Sequence, residues 1–274
     1  MCTIPPPAPP PPPPAVAVQE KAPQSTETSY NACHQLLLDD PYICGWAASD
    51  VELRRACILN RICTDKPPYK YKYRNVQSLI QIGPTCGIVA LSMLINGEVT
   101  PEEILNIAKL EGYTNNGEMF SVKNMKNLAE KVLSLADIDN INYEVKNGYL
   151  YSVETVENLL NGAMIMVPYD PDVNHMPTLR KGHTAHWALI CGVIIVNKPS
   201  EPTIIEDDNI YVLCRHGKSK YITAWDLAKL AASNNNLWEF SPKKQDDGLV
   251  YIMPEGGMGG ENGLRGQYLT FMWK

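Results

Sequence analysis

The chain has 274 residues, 45% of them apolar, and a formal net charge of −6. That length holds one large domain or two small ones with a full core. The acidic balance leaves no cationic excess to neutralise phosphates, which argues against a nucleic-acid binder. No basic stretch followed by an apolar one opens the sequence and no run of about 18 apolar residues occurs, so neither a signal peptide nor a membrane span is expected. The eight cysteines include no C-x-x-C pair of the zinc-ribbon kind. Without a secretory signal they read as reduced thiols of a cytoplasmic protein, most of them small buried apolar residues.

Residues 5–14 read PPPAPPPPPP. Proline fixes φ and lacks a donor, so this block predicts an extended polyproline rod within a disordered tail, 1–28. It is either a solvated spacer or a ligand for an aromatic-lined groove, and its purity without flanking arginines favours profilin over SH3 domains. A helical lead-in follows, CHQLLL and then DVELRRACILNRIC, ended by Pro67-Pro68. In QIGPTCGIVALSML, residues 81–94, the almost unbroken apolar run from Cys86 predicts a helix buried on all sides. Thr100-Pro101-Glu102-Glu103 is a capping box for a second helix. Ser121 caps a third, with Met125, Leu128 and Val132 on one face.

After residue 140 the period changes. INYEV alternates as a strand does, and SVETVENLL is a short helix stopped at Asn161-Gly162. AMIMVP, HWALICGVIIV, NIYVLC, LVYIM and YLTFM all read as strands, and GGMGGENGLRG as a surface loop without the context of a phosphate site. Helices first and strands later predict an α+β domain, a helical lobe carrying Cys86 against a mostly antiparallel β-sheet.

Cys86 stands where that buried helix begins, and unpaired N–H groups of a helix N-terminus stabilise a thiolate. Gly87 leaves room for a substrate carbonyl to approach the backbone. His186, at the start of a strand with Trp187 turned the other way, supplies a base about 100 residues downstream. Cys then His, on a helix and a strand, is the plan of papain-like thiol hydrolases. The competing account is zinc at the histidines of HMPTLRKGHTAH, His175, His183 and His186, but no H-E-x-x-H is present and a strand after His186 suits no helical ligand pair. No metal or cofactor is expected.

Four motifs in order, SLIQIGPTCGIVAL, GYTNNGEMFSVKNM, VPYDPDVNHMPTLRKGHTAHWAL and GKSKYITAWDLAKL, resemble the actin maturation proteases. These are papain-like cysteine peptidases, similar in plan to the bacteriocin-peptidase group. The resemblance covers roughly residues 75–274, and implies a papain-like catalytic domain over 29–274 with a lead-in at 29–66 and a core at 75–274. It implies actin as substrate, with removal of its N-acetylated first residue, Met or Cys. Cys86 is then the nucleophile, His186 the general base and acid, and Gln81 the oxyanion donor, five residues before the cysteine where many papain-like sequences have six.

Papain-like enzymes place an Asn or Asp on the strand after the histidine strand. Here Arg215-His216 stands there instead, which leaves His216, or Asp226 from the following helix, to orient the ring. Actin N-termini are acidic past the processed residue, so Arg180 and Lys181 are candidate substrate-binding cations. Glu118 and Phe120 are candidates to line the pocket for the acetylated side chain, with Phe120 in the core as the alternative. The Pro-rich head also resembles the family and implies profilin as a partner. Two other readings are a non-catalytic profilin–actin adaptor and a papain-like peptidase with another substrate.

Overall fold

Most helices of the protein begin where a side chain takes up an otherwise free backbone N–H. In the computed structural model, residues 40, 42–62, 66–200, 209–244 and 247–274 are described, all within one unit, Asp40–Lys274. The expected tail, the Pro-rich block and CHQLLL lie outside them. Asp50 accepts from the Leu53 N–H and starts α1 (Val51–Leu59), whose buried face is Leu53, Ala56, Cys57 and Ile58. Lys70–Tyr73 then form a short strand, β1, that the sequence reading passed over.

Helix α2 (Cys86–Leu94) has no side-chain cap. Burial holds it instead, since all of its residues are buried, as the unbroken apolar run predicts. Helix α3 (Pro101–Leu110) carries both bonds of the Thr100–Glu103 capping box. Ser121 caps α4 (Val122–Leu135), and Met125, Leu128 and Val132 are wholly buried. Strand β2 (Ile141–Asn147) and helix α5 (Val153–Leu160) follow, the latter capped by Ser152 and ended at Asn161, with Gly162 at φ 91°. The remaining elements are β3 (Met164–Pro171), β4 (Pro177–Thr178), β5 (His186–Ile195), β6 (Ile210–Arg215), β7 (Thr223–Asp226), α6 (Leu227–Asn235) and β8 (Gln267–Trp273).

The strands form an antiparallel sheet in the order β2-β8-β3-β5-β6-β7, with β1 paired to β5 and β4 to β3. Strand β5 is central, and every one of its residues is buried. Side chains alternate across a strand. Ile165, Val167 and Tyr169 of β3 and Ala188 and Ile190 of β5 therefore share a core with Val156 and Leu159 of α5 and Leu227 and Leu230 of α6. Trp187, turned to the other face, meets Gly87 of α2. The α+β class and the mostly antiparallel sheet are as the sequence predicts.

Two expectations fail. LVYIM is not a strand: Leu249 and Val250 are exposed, and the Val250 carbonyl accepts from the side-chain amides of Asn115 and Asn116 instead of a ladder partner. The glycine-rich segment is no simple surface loop, because Met258 and Leu264 are buried in it. Its turns are so tight that a Cβ on Gly263 would come within 2.1 Å of the Met258 carbonyl oxygen. Among the described residues no helix is long and apolar enough to cross a membrane.

Candidate active site

Helix α2 starts at Cys86 and points its first turn at the beginning of β5. The backbone N–H groups of Trp187 and Gly87 are directed at the sulfur and favour the thiolate. Burial outweighs them: it pushes the Cys86 thiol up from its ordinary value, and the Glu118 carboxylate adds to the rise. A helix N-terminus alone thus does not make this cysteine acidic. Gly87 is required for packing, since a Cβ there would lie 2.5 Å from Met125 Cε and 3.0 Å from Trp187 Cδ1.

Cys86 and His186 line the same cleft, about 600 Å³ in volume. His186 is buried, and its Nε2 has no hydrogen-bond partner among the described residues. Burial, with His216, Lys218 and His175 nearby, pushes the imidazole down to about 3. The resting pair is therefore a thiol and a neutral ring, groups able to act as nucleophile and base in acyl transfer.

The turn that delivers His186 is tied down by Asp170, a fully buried carboxylate near the end of β3. It accepts backbone N–H bonds from Arg180 (3.2 Å), Gly182 (2.6 Å) and Thr184 (3.0 Å), and the Thr184 hydroxyl at 3.0 Å. Sequence reasoning missed Asp170, although an acid ending the apolar run AMIMVPYD was a usable signal. Gly182 sits at φ 103°, where a side chain would be strained and would also strike the Glu239 backbone.

His216 immediately follows β6, and its ring centroid lies 6.2 Å from that of His186 and 5.3 Å from that of His175. It stacks on Trp225, and its Nδ1 is buried with no hydrogen-bond partner among the described residues. Burial pushes it down to about 4. Asp226 is not brought to the site. It pairs with Tyr211, which pairs with Ile194 at the far end of β5, and its carboxylate caps α6 through the Lys229 N–H.

Gln81 lines the cleft, and its backbone N–H donates to the Gly217 carbonyl at 2.8 Å. Its side-chain Nε2 donates to the Gly83 carbonyl at 2.7 Å, within its own loop. Glu118 and Arg180 also line the cleft. Phe120 does not; it packs against the rings of Phe240 and Tyr251, the core alternative. Lys181 is likewise not a lining residue, and its carbonyl is engaged by Trp238 and Glu239. The cations the sequence did not single out are Lys218 and Lys244, the latter 3.9 Å from Glu118. Lys218 sits in a turn and Lys244 ends a three-residue 3-10 helix, Pro242–Lys244, both too short for periodicity to mark a facing side.

His183 pairs with Glu239 at 2.9 Å and so has a partner of its own, apart from His186. Among the described residues no cluster of His, Cys, Asp and Glu is arranged to hold a metal. Cys44, Cys57, Cys86, Cys191 and Cys214 are buried.

A family profile described as "Actin maturation protease-like, C-terminal domain" matches residues 76–194, a span that holds Cys86 and His186 and ends before His216. The chain is similar to the actin maturation protease of Drosophila melanogaster, 39% identical over 221 residues, 81% of this chain and 78% of that one. It is 35% identical to the Danio rerio protein of the same name, over 71% of each chain. The Homo sapiens protein is 34% identical, over 71% of this chain and 63% of its own.

Proposed function

The chain belongs to the actin maturation protease family, and on that premise we propose that it is a cysteine peptidase that removes the N-acetylated first residue, Met or Cys, from immature actin. The observation that carries the reading is the sulfur of Cys86 at the first turn of a fully buried helix, in one cleft with the imidazole of His186. A helix-borne cysteine facing a histidine of an antiparallel sheet is read here as a papain-like plan, within a catalytic domain over 29–274.

In the proposed reaction His186 accepts the thiol proton as the Cys86 sulfur attacks the carbonyl of the acetylated first residue. The sulfur–carbon bond forms as the carbonyl electrons move to oxygen. The backbone N–H groups at the head of α2 and the Gln81 amide, once it releases Gly83, stabilise that oxyanion. The imidazolium then protonates the leaving amine of the shortened actin, giving a thioester of the acetylated residue. Water gives up a proton to the same ring and attacks the thioester carbon; the carbon–sulfur bond breaks, the N-acetylated amino acid leaves, and the imidazolium returns its proton to the Cys86 sulfur. His216 orients the His186 ring.

Arg180 and Lys218 line the cleft and supply cations for the acidic residues that follow the processed one. Glu118, paired with Lys244, borders the pocket for the acetylated residue. Profilin is the proposed ligand of the Pro-rich segment 5–14, and the cytoplasm the proposed compartment.

The experiment is Cys86→Ala against an N-acetylated actin, with mass spectrometry of the actin N-terminus. The variant is expected to fold and to leave the acetylated residue in place. Processing at the wild-type rate by Cys86→Ala would refute the assignment.

A further inference from the structure

Glu52 lies on α1, away from the cleft, yet its carboxylate holds both ends of the loop that leaves β6. Arg215 closes that strand with its side chain only 3% exposed. Its two terminal nitrogens donate to Glu52 Oε1 and Oε2 at 2.6 and 2.5 Å. At the other end of the loop the Ile222 N–H donates to the same Oε1 at 3.2 Å. Arg215 also donates to the Lys220 carbonyl at 3.0 Å, and Arg55 of α1 lies over the Tyr221 ring at 3.9 Å.

What that loop carries is the surroundings of the reacting pair. His216 faces His186, and Lys218 lines the cleft. The Gly217 carbonyl accepts the Gln81 backbone N–H at 2.8 Å, and the Ser219 carbonyl accepts the Ser78 hydroxyl at 3.3 Å. The segment leading to Cys86 is therefore registered on this loop, and the loop on Glu52. A buried guanidinium stripped of its carboxylate is strongly unfavourable, so the path of the loop depends on the pair.

We propose that Glu52 is a positioning residue: through Arg215 and Ile222 it fixes the 216–221 loop, and so sets Gln81 and His216 against Cys86 and His186. This rests on the reading of Cys86 and His186 as the reacting pair. The lead-in helix is then part of the active-site assembly, not an appendage to it.

Glu52→Gln keeps the shape but turns an amide N–H₂ toward the donors of Arg215. Two quantities are measured on the full chain: kcat and KM on an N-acetylated actin peptide, and the rate of Cys86 alkylation by iodoacetamide, with His186→Ala as baseline. Expected are a circular dichroism spectrum of wild-type form, a fall in kcat of about ten-fold or more, and an alkylation rate reduced to the His186→Ala value. Should Glu52→Gln not fold, Glu52→Gln/Arg215→Met, which removes the stranded charge as well, must show the same two losses.

A folded variant with wild-type kcat and alkylation overturns the proposal. So does failure of both variants to fold, because the contact would then serve folding alone. Alkylation needs no substrate, so its outcome stands whether or not the acetylated peptide is cleaved. A wild-type alkylation rate equal to that of His186→Ala would instead refute the pairing of Cys86 with His186.

Discussion

Gly87→Ala perturbs the contact between the cysteine helix and the histidine strand with a single methyl group. The added Cβ would lie 2.5 Å from Met125 Cε, the movable tip of a flexible side chain, and 3.0 Å from Trp187 Cδ1. Trp187 cannot simply swing away, because its Nε1 donates to the Met119 carbonyl at 2.9 Å. It is also bonded in sequence to His186, and its own N–H faces the Cys86 sulfur. The strain must therefore separate α2 from β5 by a few tenths of an ångström. Overpacking of this kind costs about 1–3 kcal/mol, while replacing a helical glycine returns about 1 kcal/mol, so a net loss of about 1 kcal/mol is expected. Since a misplacement of about 1 Å can lower a rate about 100-fold, a shift of a few tenths should lower kcat by about ten-fold. Denaturant unfolding and kcat on an acetylated actin peptide test the two numbers separately. A Gly87→Ala protein that is more stable than wild type by about 1 kcal/mol, with unchanged kcat, would refute the reasoning.

His186 and His216, pushed down to about 3 and about 4, stay neutral in the folded protein where the unfolded chain, titrating near 6.5, takes up protons. Stability therefore rises with pH across that window, and acidifying from pH 7 to 5 should cost up to about 2 kcal/mol per histidine. A denaturation midpoint equal at the two pH values would exclude buried neutral rings. Asp170→Asn turns an N–H₂ group toward the donors of the 180–184 turn and should cost about 1–3 kcal/mol. It should also lower kcat and, through Arg180, raise KM for the acetylated peptide. Wild-type kinetic constants in that variant would show that the turn does not depend on the carboxylate.

Elements with strong local signals were legible in the sequence. Thr100 and Ser121 each cap a helix as read, because capping depends on residues within one turn. LVYIM has strand composition but no strand, because pairing needs a free edge and Val250 instead meets two asparagine amides. The short β1 and β7 escaped for the opposite reason: four residues each carry too little period to read. At the site, Cys86, His186 and Gln81 do share one cleft, as a helix start, a strand start and a nearby glutamine suggested. His175, Lys218 and the Glu52–Arg215 pair were invisible, since each matters through contacts distant in sequence, whereas Asp170 carried a signal that went unread, an acid closing an apolar run. The acidity of Cys86 was misjudged because helix-end N–H groups were weighed without the desolvation that accompanies a wholly buried helix.

That desolvation shapes how the site has to work. A neutral thiol and a neutral imidazole attract each other far less than the ion pair they become. In the proposed reaction the proton must therefore move from Cys86 to His186 as attack proceeds, and the transfer succeeds only at hydrogen-bond reach. Position then matters more here than resting charge. The architecture is consistent with that demand, because both segments flanking the ring are pinned by acids away from the reacting atoms. Asp170 fixes the turn entering β5, and Glu52 fixes the loop leaving β6. Neither carboxylate need touch the substrate to matter, since each sets the geometry in which a reluctant proton can move.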